Sequence, residues 1–334
     1  MPEITIGDRA VGPGRRVYAI AEIGFNHEGK VELGAKMIRA AAAAGVDAVK
    51  FQTFKADELT LRNFEHFDLI RNSELDLKAH KELASVAADE GLTFFSTPFS
   101  AWAVDILEEV GVPAYKIASM DLTNLPLLRL VAGTGKPVIL STGMATMDEI
   151  ATAVEAIKAV QDEGPALMHC VSLYPAEPET ANLRTIGQIA GAFNLPVGFS
   201  DHLLGNEVAM AAVALGASLI EKHFTTDKEL PGPDHKLSAD QAEMANLVRG
   251  IRKVEKSLGR AAADDRRPDR GNAAEARRSL FAARYIATGT LIRPEDVKCV
   301  RPERGLPPGE LESVLGRPAK TDIREEEPIT GENV

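Results

Sequence analysis

The sequence predicts a (β/α)8 TIM barrel followed by a small β-rich domain, on three observations. In the first 258 residues, short apolar or β-branched runs alternate eight times with longer stretches of helical period. Eight such units in about 250 residues is the size of a (β/α)8 barrel. Polar residues recur after nearly every strand-like run, as a barrel with its chemistry at the carboxyl ends of its strands requires. A doubly wound open sheet is the competing architecture, and it would gather those residues near one switch point.

The elements follow in order. Strand-like runs occupy Val17–Ala21, Ala48–Gln52, Thr93–Ser96, Ala114–Ile117, Val138–Ser141, Ala166–Cys170, Val197–Ser200 and Ser218–Glu221. Alanine- or leucine-rich helical stretches follow them, among them Val31–Ala44, Lys78–Glu90, Thr146–Val160, Asn206–Leu215 and Asp240–Leu258. Gly45, Gly91, Gly111, Gly135 and Gly216 each sit just past a helical stretch, where a left-handed terminating residue is expected. Residues 1–258 are therefore expected to form the barrel. Residues 259–276 mix both charges and have no apolar stripe to bury, so they read as a linker. Residues 277–334 carry short strand-like runs between Gly and Pro turns, which predicts a β-rich appendage that is marginal alone and docks on something.

Composition narrows the function. The chain has 334 residues, 45% hydrophobic and 26% charged, enough to bury a sizeable core and too apolar for disorder. Its 38 basic and 49 acidic side chains leave a formal charge of −11, a field that repels nucleic acid and anionic membranes. Residues 1–16 lack the apolar segment of an export signal, and no run is long and apolar enough to span a bilayer, so a cytoplasmic protein is expected. Two cysteines, Cys170 and Cys299, exclude a disulfide framework or a cysteine-rich zinc site. Any metal must lean on the seven histidines and the carboxylates.

The strand ends then supply the chemistry. Lys50 and Lys116, among repeated Ser and Thr positions, provide charge and hydroxyl donors for a phosphorylated or carboxylated guest. His202 and His223 follow the seventh and eighth strands, so both imidazoles reach one side of the mouth. With Glu22 or water as further ligands they suit Mn2+ or a similar ion better than Ca2+. Glu22, beside that metal and the lysines, is a candidate general acid or base. The Pro231-Gly232-Pro233-Asp234-His235 loop either holds Asp234 over the mouth for sugar hydroxyls or is a plain turn. Cys170 reads as an inert small hydrophobe, Trp102 and the methionines as core or loop packing, and His66 and His80 as surface residues.

Taken together, Ala21-Glu22-Ile23-Gly24-Phe25-Asn26-His27-Glu28-Gly29, Lys50-Phe51-Gln52-Thr53, Lys116-Ile117-Ala118-Ser119, Ser141-Thr142-Gly143-Met144, Ser200-Asp201-His202, Glu221-Lys222-His223-Phe224 and Pro231-Gly232-Pro233-Asp234-His235 resemble the sialic acid synthases. The resemblance spans nearly the whole chain, and residues 277–334 are similar to the antifreeze-like (SAF) domain of those enzymes. It implies condensation of phosphoenolpyruvate with N-acetylmannosamine, giving N-acetylneuraminate and phosphate. The alternative is N,N'-diacetyllegionaminate or a related nonulosonate made from a 2,4-diacetamido hexose.

By the same resemblance, Lys50, Thr97, Lys116, Ser119, Ser141 and Ser200 hold phosphoenolpyruvate, and His202 and His223 hold Mn2+ or Mg2+. Gln52, Tyr174 and Asp234 hold sugar hydroxyls. Glu22, with Asp121 as the alternative, manages sugar and water protons. Ser172 stands where some relatives carry Asn, and Asp121 where some carry Glu. The family forms a domain-swapped homodimer, which implies that Arg278, or its neighbour Arg277, reaches the N-acyl group across the dimer. Two rivals remain open to test: a non-catalytic sugar or ice binder, and a synthase for a phosphorylated aldose.

Overall fold

Eight buried parallel strands close on themselves in the order β10-β3-β4-β5-β6-β7-β8-β9 in the computed structural model, which describes residues 2–259 and 269–334. The barrel strands are β3 (Tyr18–Glu22), β4 (Ala48–Thr53), β5 (Thr93–Pro98), β6 (Tyr115–Ile117), β7 (Val138–Ser141), β8 (Ala166–Cys170), β9 (Val197–Asp201) and β10 (Leu219–His223). Several run one or two residues past the apolar stretch that marks them in sequence, because their polar last residues still pair. His223 lies opposite Glu22, Glu22 opposite Lys50, and Gln52 opposite Thr97.

Helices cover the outside. α1 (Val31–Ala44) buries Met37, Ile38, Ala41 and Ala44 at helical spacing, and Gly45 ends it at φ 84°. Fully burying a side chain such as Ile38 contributes about 1.5–3 kcal/mol. α4 (Leu77–Asp89) and α5 (Ala101–Val110) start from Asp76 and Ser100 caps, and α7 (Met147–Lys158) from a Thr146–Glu149 capping box. α6 (Leu125–Ala132), α8 (Thr185–Phe193), α9 (Glu207–Ala214) and α10 (Gln241–Leu258) complete the layer.

Two features have no counterpart in the expected elements. β1 (Ile4–Ile6) and β2 (Arg9–Val11) pair as an antiparallel hairpin that buries Ile4, Ile6 and Val11. The stretch after β4 folds into the short helices α2 (Ala56–Leu59) and α3 (Phe67–Asn72) around a small core of Phe54, Ala56, Phe67 and Ile70.

The described residues divide into two compact units, with the division at Leu258 and Gly259. In the second, β11 (Ser279–Ala282) pairs antiparallel with β12 (Val297–Val300). Leu280, Ile286, Ile292, Val314, Ile323 and Ile329 form its core, and α12 (Leu311–Val314) closes one side. Of the expected linker, residues 260–268 lie outside the described residues. The remainder is not a bare tether: Arg270–Asn272 is a 3-10 turn and Ala273–Ala276 is helical (α11), a segment too short for periodicity to reveal. Among the described residues no helix is long and apolar enough to cross a membrane.

Candidate active site

A cavity of about 560 Å³ opens at the carboxyl ends of the barrel strands. Strand parity decides what faces it. Side chains alternate along a strand, so Lys50 and Gln52 share one face of β4, and Glu221 and His223 share one face of β10. The opposite parity turns outward: Lys222 pairs with Asp201 at 2.6 Å behind the barrel wall. Glu22, Lys50, Gln52, Thr97, Lys116, Ser119, Ser141, Ser172, Tyr174, Ser200, His202, His223 and Asp234 all line the cavity.

Its floor is a buried charge cluster. Lys50 lies 2.8 Å from Glu22 Oε2, donates to Thr97 Oγ1 at 3.2 Å and lies 3.8 Å from Glu221 Oε1. Lys116 and Ser200 reach that same Glu221 oxygen at 3.3 and 3.2 Å. Burial alone raises a carboxyl, but the ammoniums of Lys116 and then Lys50 outweigh it and hold Glu221 down at about 2. Burial dominates at Glu22, which is pushed up despite Lys50 beside it. Burial also lowers Lys116. Glu221 Oε2 has no hydrogen-bond partner. Among the described residues Lys116 has the single contact to Glu221 Oε1, so its ammonium keeps donors for an anionic guest.

Beside the lysines lies a tight hydroxyl pocket. Gly143 N–H donates to Ser119 Oγ at 3.0 Å, and Ser119 Oγ sits 3.0 Å from Cys170 Sγ. A Cβ at position 143 would meet Ser172 Oγ at 2.5 Å and the Cys170 and Ser119 heteroatoms at 2.8 Å, so glycine is needed there.

On the other side the His202 and His223 rings lie with centroids 5.3 Å apart, and Tyr174 stacks 4.3 Å from His202. His202 Nδ1 is 2.9 Å from the Val171 carbonyl, the contact that fixes a ligand tautomer, and Nε2 is 3.5 Å from Ser200 Oγ. Burial, then the neighbouring His223, lowers His202 to about 4, so it is neutral at pH 7. Burial would lower His223 too, but the hydrogen bond and charge of Asp234, 3.3 Å away, prevail and raise it. No cluster of three or more ligating side chains occurs among the described residues. Two imidazole nitrogens with the Glu22 carboxylate on the same cavity wall nevertheless match the mixed nitrogen and oxygen preference of Mn2+ or a similar ion, with water or substrate completing the shell.

Other candidates fall elsewhere. Asp121 ends a 3-10 turn, accepts from Asn124 at 3.0 Å and does not line the cavity. Arg278 belongs to the second unit, where it and Arg277 are exposed. Cys170 is not a bystander, because its sulfur lies in the hydroxyl pocket. Met120 and Met144, both in loops after strands, line the cavity and are exposed. His80 is not on the surface either, being buried with Nε2 at 2.8 Å from Thr53 Oγ1. Glu221 carries no role in the motifs of the sequence. Its two-residue spacing from His223 was the available signal.

Comparison with known proteins follows the same outline. Residues 37–263 match the NeuB family model and residues 277–334 the SAF domain model. The chain belongs to the NeuB family. It is 43% identical to an uncharacterized protein of Methanocaldococcus jannaschii over 98% of both chains. It is 38% identical to the N,N'-diacetyllegionaminic acid synthase of Campylobacter jejuni over 94% of this chain and 99% of that one. The crystal structure of N-acetylneuraminic acid synthetase from Leptospira borgpetersenii, in complex with citrate, superposes with a TM-score of 0.77 at 38% identity. It covers 81% of this chain and 93% of its own. NeuB members are phosphoenolpyruvate-dependent nonulosonic acid synthases, transferases that form a carbon–carbon bond, and that is the reaction class of this chain.

Proposed function

We propose that the enzyme condenses phosphoenolpyruvate with N-acetylmannosamine, giving N-acetylneuraminate and phosphate. A second reading, N,N'-diacetyllegionaminate from a 2,4-diacetamido hexose, is favoured by the 38% identity to two proteins named for that activity. The observation that carries both is the meeting of Lys50, Lys116 and a ring of hydroxyls with the His202–His223 pair in one cavity.

The phosphate and carboxylate of phosphoenolpyruvate sit against Lys50 and Lys116, with Thr97, Ser119, Ser141 and Ser200 donating hydroxyl hydrogen bonds. Ser172 extends that pocket. His202 and His223 hold Mn2+ or Mg2+, which when bound polarises the open-chain aldehyde as a Lewis acid. Gln52, Tyr174 and Asp234 grip the sugar hydroxyls. Carbon 3 of the enol attacks the aldehyde carbon, and the oxocarbenium at carbon 2 takes up water. The tetrahedral intermediate then expels phosphate by breaking its C–O bond. Glu22 is the acid/base group, since its carboxyl is raised and faces the cavity whereas Asp121 does not. Arg278 of a partner copy, with Arg277 beside it, reaches the N-acyl group in a homodimer that swaps its second unit. The protein works in the cytoplasm, with residues 1–258 as the catalytic domain.

The test is phosphate release from phosphoenolpyruvate by the full chain with Mn2+ and each sugar in parallel, with a chelator control. Metal-dependent release with one of them is expected. No release with either, from folded and metal-loaded protein, would sink the assignment.

A further inference from the structure

Behind the barrel wall, one buried ammonium ties together the ends of the two strands that carry the imidazoles. Lys222 precedes His223 in β10, and its side chain lies on the strand face opposite to Glu221 and His223, away from the cavity. Its Nζ donates to Asp201 Oδ2 at 2.6 Å and to the Leu203 carbonyl at 2.7 Å. Those acceptors belong to the residues immediately before and after His202. Asp201 Oδ1 accepts from the Leu203 amide at 3.0 Å, so the carboxylate also closes the chain around His202. The Lys222 and Asp201 side chains are 3% and 0% exposed, and neither lines the cavity, so neither meets a guest of the cavity directly.

We infer that Lys222 is a positioning residue, a clamp that sets the separation and aim of the His202 and His223 imidazoles and so tunes the affinity for a divalent cation. The inference rests on the proposed use of those two histidines as metal ligands. Stability does not account for the pair. An ammonium and a carboxylate taken out of water lose hydration that their attraction only partly restores, and an apolar pair of similar volume is often as stable or more so. What the ion pair supplies and an apolar pair does not is direction. β9 ends at Asp201, and His202 follows it as the chain turns into the next loop. Holding both acceptors on one ammonium fixes that turn, because Asp201 and Leu203 flank His202. The Val171 carbonyl then orients the ring through Nδ1 at 2.9 Å, and the Ala176 amide donates to the His202 carbonyl at 3.1 Å. On the other strand His223 is the residue that follows Lys222, so the clamp lies one residue from each imidazole. Outer contacts that orient metal ligands are typically worth about 10- to 100-fold in affinity.

Mn2+ binding to the chelator-treated full-length protein, read from the electron paramagnetic resonance signal of free Mn2+, tests this in wild type, His223→Ala, Lys222→Met and the double variant Asp201→Leu with Lys222→Met. Lys222→Met leaves Asp201 buried without its cation, so a loss of affinity there does not by itself separate aim from stability. The double variant separates the two. It is expected to unfold at or above the wild-type denaturant midpoint and still to bind Mn2+ at least about tenfold more weakly, with the Mn2+ concentration for half-maximal phosphate release raised by the same factor. Mn2+ affinity within about threefold of wild type in the folded double variant overturns the clamp and leaves the metal ligands standing. Should the double variant not fold, Asp201→Asn, which keeps the shape of the side chain, carries the test. A few-fold weaker Mn2+ binding is then expected, and an unchanged affinity overturns the clamp. No Mn2+ binding by wild type, or wild-type affinity in His223→Ala, removes the metal reading and the clamp with it.

Discussion

The two ends of the barrel each hold a cluster of opposite charges around a buried carboxylate, and the clusters are finished differently. At the amino-terminal end Asp47, just before β4, is satisfied on both oxygens. Arg9 and Arg16 reach Oδ1 at 2.5 and 2.8 Å, and the Ala19 amide and Arg252 reach Oδ2 at 2.8 and 3.1 Å. Arg9 comes from β2 and Arg252 from α10, so this one carboxylate ties the hairpin and the last helix to the barrel floor. At the carboxyl-terminal end Glu221 Oε2 has no partner, and two lysines and Ser200 share its other oxygen. A complete cluster contributes stability. An incomplete one, in which Lys116 has the single partner Glu221, keeps ammonium donors for an anionic guest and sacrifices stability to do so.

Substitutions at the two ends separate these roles. The largest effect belongs to Lys50→Met at the mouth, which should lower kcat/KM for phosphoenolpyruvate by about 2–5 kcal/mol of transition-state stabilisation, with circular dichroism unchanged. Retained turnover would mean that the mouth cluster is structural like its counterpart. Asp47→Ala at the floor should cost about 2–4 kcal/mol of unfolding free energy in denaturant titrations while leaving kcat/KM of the folded enzyme within about twofold. A large catalytic loss there would erase the contrast.

Smaller effects sharpen it. Gly143→Ala pushes a methyl into the Ser119, Cys170 and Ser172 heteroatoms and should raise KM for phosphoenolpyruvate roughly tenfold, at an overpacking cost of about 1–3 kcal/mol. His235 braces the loop that carries Asp234: its Nδ1 is 2.7 Å from Thr225 Oγ1, and its ring fills the space where a Cβ at Gly232 would fall. His235→Leu should therefore raise KM for the sugar a few-fold, on the order of 1 kcal/mol, with KM for phosphoenolpyruvate unmoved.

The same contrast explains what was legible in the sequence. Buried parallel strands read as continuous apolar runs, so all eight barrel strands stood out, and several strand-end polar residues, Lys50, Lys116 and His202 among them, could be placed at the mouth from order alone. Glu221 escaped because its neighbour Lys222 has the same polarity and the opposite direction, which only strand parity separates. The apolar side of the cavity, lined by Phe25, Leu59, Phe64, Ile70 and Phe99, was hidden for another reason. α2 and α3 have four and six residues, too few for a helical period, and their packing on Phe25 and Phe99 joins three loops distant in sequence. The amino-terminal hairpin is illegible likewise, since three-residue strands carry almost no alternation.

The most direct test of the contrast between the ends is equilibrium binding of phosphoenolpyruvate, without sugar, to wild-type, Lys116→Met and Asp47→Ala protein by isothermal titration calorimetry. Affinity is expected to fall by roughly 30-fold or more in Lys116→Met and to stay at the wild-type value in folded Asp47→Ala. Undiminished binding by Lys116→Met would contradict the assignment of the incomplete cluster to the anionic substrate.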